Sequence, residues 1–191
     1  MNMALVAISY LIGTFPSAYL AGRWLGKMDI RQVGDCNPGA SNISRHIGSG
    51  AGMMVLLSDI AKGALAVSLA RIFSTETVAL FCGVAVVAGH NWPVFFRFRG
   101  GRGLSTTIGV MLALVTLPML IVSLPGLFIL LSNLMLTGLV MWIPLPLLEW
   151  IFGISGVVII YSLALPCLSG ILHFVTTRHF SEEQKKEALC W

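Results

Sequence analysis

Residues 103–148 read GLSTTIGVMLALVTLPMLIVSLPGLFILLSNLMLTGLVMWIPLPLL, a run without a single Asp, Glu, Lys or Arg; Glu149 follows, and the next such residue is Arg178. A soluble domain carries about a quarter charged residues because its surface must stay wet. An uncharged run of this length belongs against lipid or other apolar helices. The rest of the chain agrees, since 57% of its 191 residues are hydrophobic and only 10% charged, with a mean hydropathy of +0.88. Composition thus excludes a soluble globule and predicts an all-α, polytopic integral membrane protein. Cys36, Cys82, Cys167 and Cys190 are too dispersed for a disulfide framework or a zinc site. The net charge of +4 belongs mainly to loops at a membrane surface, so it does not argue for nucleic acid.

Working outward, residues 3–25 form a first span interrupted by Gly13 and Pro16, residues 52–73 a second and residues 77–96 a third. The uncharged Met-Asn-Met start lacks the positive region of a signal peptide, so the first span is read as a mature helix. Arg23, Lys27, Arg31 and Arg45 fall between the first two spans, and Arg97, Arg99 and Arg102 follow the third. The positive-inside rule places both loops in the cytoplasm and the N-terminus outside. Lys185 and Lys186 put the C-terminal tail in the cytoplasm too, so an even number of crossings must follow Arg102. Two long helices or four short ones satisfy this, and Pro118, Pro125, Pro144, Pro146 and Pro166 favour short or broken ones. No repeat or linker is apparent, and residues 1–191 are read as one domain.

Charged residues at membrane depth are paired or functional. Asp59 and Lys62, expected about one turn into the second helix, share a face and can form an ion pair. His90, near the end of the third helix, falls at the same level and can serve either packing or chemistry. Two loops have the composition of phosphate cradles. Gly34 to Arg45 is rich in glycine, amides and hydroxyls, with Ser41 and Asn42 as extra donors and the planar fork of Arg45, although a flexible surface loop has a similar composition. Arg97, Arg99 and Arg102 are interleaved with Gly100, Gly101 and Gly103, just before Ser105, Thr106 and Thr107 open a helix. The spacing is not that of a Walker A loop. Gly48, Gly50 and Gly52 are better read as a turn or packing than as a dinucleotide fingerprint, and Gly22 and Gly26 as a close helix contact. The near absence of charge after Arg102 argues against a transport path.

Taken together, Gly13-Thr14-Phe15-Pro16-Ser17-Ala18-Tyr19-Leu20, Asp29-Ile30-Arg31, Gly34 through Arg45, Asp59-Ile60-Ala61-Lys62-Gly63, and Gly89-His90-Asn91-Trp92-Pro93 through Gly103 resemble the bacterial acyl-phosphate:glycerol-3-phosphate acyltransferase family. The match covers roughly the first 110 residues. This resemblance implies about seven helices, some short or broken, with the N-terminus outside, the C-terminus cytoplasmic and a multi-pass place in the bacterial inner membrane. The implied reaction transfers a fatty acyl group from acyl phosphate to the 1-hydroxyl of sn-glycerol 3-phosphate, giving lysophosphatidate and phosphate, the first step of phospholipid synthesis. It implies no metal and no cofactor; the partners are the two substrates, membrane lipid and other phospholipid-synthesis enzymes. The H-x-x-x-x-D pattern of another acyltransferase class is absent at His46, His90, His173 and His179.

Carried onto this chain, the resemblance makes Arg45 and Arg102 the phosphate ligands, with Asn37, Gly39, Asn42, Gly101 and Gly103 completing the cradle. His90 acts as base or orients a substrate oxygen, unless the substrate phosphate itself takes the proton. Asp59, Lys62 and His179 support the site. Four departures stand out: Asp35-Cys36 where the family has Ser-Gly, Arg102 for Lys, Glu182 for the amide of an H-x-x-N element starting at His179, and only Ser132 as a candidate for a helix-borne serine. Two added acids near a phosphate pocket allow an alternative, a weak or altered-substrate paralogue that binds phosphorylated lipid precursors.

Overall fold

The computed structural model describes residues 2–34, 36–130 and 140–178; Asp35, Ser132, His179, Glu182, Lys185 and Lys186 lie outside the described residues. The first span divides as expected, into α1 (Asn2–Gly13) and α2 (Ser17–Leu25). Pro16 lacks an amide hydrogen and disfavours helical backbone in the residue before it, so the chain turns at residues 14–16 before helix resumes at Ser17. A short α3 (Ala40–His46) leads into α4 (Ser49–Phe73), and α5 (Glu76–Asn91) follows, its first turn capped by the Thr75 hydroxyl accepting from the Val78 amide. Next come α6 (Leu104–Leu114), α7 (Thr116–Leu130), α8 (Leu145–Ile151) and α9 (Gly156–Arg178).

Among the described residues there are three longer apolar spans and four further apolar helical segments. That pattern meets the expectation of about seven. The prolines divide by position. Pro118 sits in the first turn of α7, and Pro144 and Pro146 flank the start of α8, where a missing amide hydrogen costs nothing. Pro125 and Pro166 lie inside α7 and α9 without ending either helix, a placement that membrane helices tolerate better than soluble ones.

The longest helix, α4, packs against α1, α2, α3, α5 and α6, while α1 also lies along α5. Backbone-to-backbone approach makes two of these seams. A Cβ on Gly63 would overlap the Thr106 carbonyl and one on Gly109 the Ile60 carbonyl, fixing the α4–α6 crossing; Gly13 against Val86 and Gly89 against Tyr10 do the same for α1 and α5. Gly22 and Gly26, expected at a helix contact, instead pack on the loop: a Cβ on Gly22 would meet Met28 and Ile30, and one on Gly26 would press on Ile47. Val67, Ala79, Cys82, Val86, Val110, Met111 and Met119 fill the interior. Leu57, Leu65, Phe81, Leu124 and Ile160 point outward and stay exposed, as a lipid-facing surface requires.

Glu149, the only Asp, Glu, Lys or Arg between Arg102 and Arg178, is fully buried and accepts a hydrogen bond from the Ser162 hydroxyl of α9 at 2.7 Å. The pair ties α8 to α9. Ser162→Ala should therefore lower unfolding stability in detergent by about 1–3 kcal/mol, the cost of stranding a buried acceptor, whereas Ser162→Thr, which keeps the hydroxyl, should lose less; thermal unfolding of the two variants checks this.

Candidate active site

Three pieces of chain meet at one end of the bundle: the break between α1 and α2, the end of α5 with the glycine-arginine loop after it, and the loop that leads into α3. They enclose a cavity whose wall includes Thr14, Ser17, Arg31, His90, Arg99 and Gly101. The break exposes the Phe15 carbonyl, and the Lys62 Nζ donates to it at 3.2 Å. The proline in the first helix therefore supplies an acceptor to the second long helix.

Behind the wall, the expected convergence of Asp59, Lys62 and His90 is present. Lys62 Nζ lies 2.8 Å from Asp59 Oδ1 and 2.7 Å from His90 Nδ1. The Ser17 hydroxyl, at the start of α2, donates to the same Asp59 oxygen at 2.6 Å. Asp59 and Lys62 are 1% and 6% exposed, so the ion pair is removed from water and each partner depends on the other. Their depth differs from the sequence expectation. Asp59 stands ten residues beyond Ser49, about 15 Å along the helix axis, not one turn into the helix. Ser17 was not singled out as a site residue from sequence; a hydroxyl directly after the helix-breaking proline is the signal that could have found it.

The glycine-arginine loop folds back on the end of α5, where the Gly100 and Gly101 amides donate to the Asn91 and His90 carbonyls at 3.0 and 3.1 Å. A Cβ on Gly101 would overlap His90 Nε2 and would lie 3.2 Å from the Pro38 carbonyl. The two glycine-rich loops therefore touch at Gly101. Gly103, with φ +77°, caps the start of α6, and Arg102 between these two glycines is exposed. Arg97 and Phe98 take left-handed backbone, φ 54° and 60°, a conformation disfavoured for side chains of this size.

In the other loop, the Asn42 side chain is held through its amide nitrogen. It is fully buried, and its Nδ2 donates to the carbonyls of Ile30 (3.3 Å), Val33 (2.8 Å) and Asn37 (3.2 Å). Asn42 thus braces the loop from inside, giving its Nδ2 hydrogens to these carbonyls. A Cβ on Gly39 would press on the Asn37 amide, so this glycine makes room for that side chain. Arg45, in the last turn of α3, is exposed and donates through Nε to the Ser41 carbonyl at 3.3 Å.

Arg31 and Arg99 line the cavity itself, whereas Arg45 and Arg102 are not among its lining residues. Arg31 is held from two sides. Asp29 accepts its Nε at 2.9 Å and its Nη2 at 2.7 Å, a bidentate grip, while its guanidinium lies 4.8 Å from the Tyr19 ring centroid and 5.3 Å from that of Phe96. Hydrogen bonds from Arg31 keep the Asp29 carboxyl below its ordinary value, and Asp29 in return raises the Arg31 guanidinium; both remain charged throughout the neutral range. Sequence reasoning passed over Arg31 as a site residue. Its partner Asp29 two residues before was the visible signal, but the stacking on Tyr19 and Phe96 comes only with the fold.

Comparison with known proteins agrees with this geometry. Residues 3–185 match the family model described as glycerol-3-phosphate acyltransferase. A relative named glycerol-3-phosphate acyltransferase 4, from Dehalococcoides mccartyi, is 47% identical over 181 residues, covering 93% of this chain and 98% of its own length. A glycerol-3-phosphate acyltransferase of Synechococcus elongatus is 38% identical over 182 residues, covering 83% of this chain and 86% of its own. The crystal structure of PlsY (YgiH), described as an integral membrane glycerol 3-phosphate acyltransferase in its glycerol 3-phosphate form, superposes with a TM-score of 0.80 at 30% identity, covering 93% of this chain and 90% of that one. With the match running from the first span to the tail, the chain belongs to the glycerol-3-phosphate acyltransferase family.

Proposed function

We propose that the protein, as a single domain in the bacterial inner membrane with its N-terminus outside, transfers a fatty acyl group from acyl phosphate to the 1-hydroxyl of sn-glycerol 3-phosphate. The hydroxyl oxygen forms the new bond to the acyl carbon, the bond from that carbon to the phosphate oxygen breaks with its electron pair going to the phosphate, a substrate phosphate takes the hydroxyl proton, and lysophosphatidate and inorganic phosphate leave. The observation that carries the reading is the cavity walled by Arg31, Arg99 and His90, where the two basic glycine-rich loops touch at Gly101. Two phosphorylated reactants need two cationic surfaces, and arginine forks suit phosphate oxygens. Arg45 and Arg102 on the exposed rim hold the phosphates as they enter; Asn37, Gly39, Asn42, Gly101 and Gly103 shape the loops that aim them. His90 meets a reacting oxygen, with Asp59 and Lys62 holding it in place and His179 supporting from the tail.

An acyl phosphate is already activated. The enzyme's tasks are to bring the hydroxyl to attack distance and to neutralise charge on the carbonyl oxygen and the leaving phosphate, which positioning and fixed cations accomplish. The test is to incubate the purified protein in lipid with labelled glycerol 3-phosphate and, separately, an acyl phosphate, an acyl thioester of coenzyme A or acylated carrier protein. Lysophosphatidate should form from acyl phosphate and from neither thioester. Arg102→Ala should reduce kcat/KM by about 10²-fold, on the scale of a lost charge-assisted contact. Activity that survives both Arg45→Ala and Arg102→Ala would overturn the phosphate-site assignment, and binding of both substrates without turnover would point to the weak paralogue.

A further inference from the structure

The charged cluster behind the cavity determines where the imidazole of His90 carries its proton. The Lys62 ammonium has three hydrogens and three neighbours to receive them: Asp59 Oδ1 at 2.8 Å, the Phe15 carbonyl at 3.2 Å and His90 Nδ1 at 2.7 Å. An ammonium donates and cannot accept, so beside a charged Lys62 the Nδ1 of His90 is the lone-pair nitrogen and the ring hydrogen resides on Nε2. Asp59 requires that charge. Among the described residues, its other hydrogen-bond partner is the neutral Ser17 hydroxyl, and a carboxylate only 1% exposed needs a cation beside it. His90 does not fill this place, because its Nδ1 is 3.7 Å from Asp59 Oδ1, beyond hydrogen-bond reach. The Nε2 edge turns the other way, toward Gly101, where a Cβ would overlap it, and both residues line the cavity.

We propose that Lys62, oriented by Asp59 and Ser17, is a positioning residue that holds the proton of His90 on Nε2, so that the imidazole meets the substrate as a hydrogen-bond donor and not as a base. The receiving atom is an anionic oxygen, or one that becomes so: the acyl carbonyl as the hydroxyl adds, or a phosphate oxygen. The catalytic part of this inference rests on the acyl-transfer reading above; the location of the proton does not.

The experiment uses the full chain, labelled with 15N-histidine and placed in lipid nanodiscs, with the His90 signals identified by their loss in His90→Gln. Wild-type protein should show hydrogen coupled to Nε2 and a bare Nδ1. Lys62→Met should mix the two tautomers, and if that variant does not fold, Asp59→Asn/Lys62→Met carries the same arm because it strands no buried charge. In turnover, His90→Gln, whose amide nitrogen reaches the position of Nε2, should stay within about tenfold of wild type, while His90→Ala should lose about 10²-fold or more, the scale of a lost oxyanion donor. A wild-type ring protonated on Nδ1, a tautomer unchanged by loss of Lys62, or His90→Gln no better than His90→Ala each overturns the proposal. Wild-type protein that turns over no acyl phosphate sinks the functional reading, while the spectrum still decides the tautomer.

Discussion

Lys62→Met is expected to destabilise the protein by about 3–5 kcal/mol, the range found when one member of a buried ion pair is removed and the other is left without a countercharge. The methionine fills nearly the same volume, so lost packing contributes little. What remains is the Asp59 carboxylate, 1% exposed, with the Ser17 hydroxyl as its remaining hydrogen-bond partner among the described residues, together with a Phe15 carbonyl that has lost its Lys62 donor. Asp59→Asn/Lys62→Met should recover most of the loss, because an amide is far cheaper to bury than an unpaired carboxylate. Thermal unfolding in detergent of the two single variants and the double variant gives the coupling energy. Equal destabilisation in the single and double variants would show that packing, not charge, accounts for the effect.

The second large effect is expected at Gly101, on activity instead of stability. In Gly101→Ala the new methyl overlaps His90 Nε2, and the imidazole cannot swing away without breaking its 2.7 Å contact with Lys62. The loop must move, straining the amide hydrogen bonds that Gly100 and Gly101 give to the end of α5, and Arg99 and Arg102 move with it. A displacement of about 1 Å at a positioning group costs about 10²-fold in rate. We therefore expect kcat/KM to fall by about that factor while the unfolding temperature shifts by only a few degrees. Steady-state kinetics beside a thermal melt separates the two, and an unaltered kcat/KM would mean that the reactants do not approach this edge of His90.

Much of this arrangement was legible in the sequence. A proline inside an apolar segment announced the break between α1 and α2, and two charges three apart in the next span announced a paired helix face. Parity of crossings placed His90 at the level of that pair without any knowledge of packing. Residue spacing could not show which basic side chains face inward. Arg31 reaches the cavity wall because Tyr19, twelve residues before it, and Phe96, sixty-five after it, come together with ring centroids 5.2 Å apart. Asp29 beside it hinted at a fixed guanidinium, but no spacing could show which wall it would reach. Asn42 meets a related limit: amides suit phosphates and loop carbonyls alike, and only the fold around the turn at Ile30–Gln32 shows that its nitrogen is given to carbonyls. Gly22 and Gly26 had a helix-contact spacing but face the loop, whereas the glycines that do form crossings, Gly13 with Gly89 and Gly63 with Gly109, pair across different helices and so leave no periodic trace.

Those two glycine seams also govern how the molecule can move. Where carbonyl groups sit against bare Cα atoms there is no side chain to change rotamer and take up a displacement, so α1 with α5, and α4 with α6, behave as welded plates. His90 rides on the first plate and Lys62 on the second, with a hydrogen bond between them. Admission of an acyl chain and release of product must then be accomplished by the loops and by the lightly joined later helices, while the reacting corner keeps its shape from one turnover to the next.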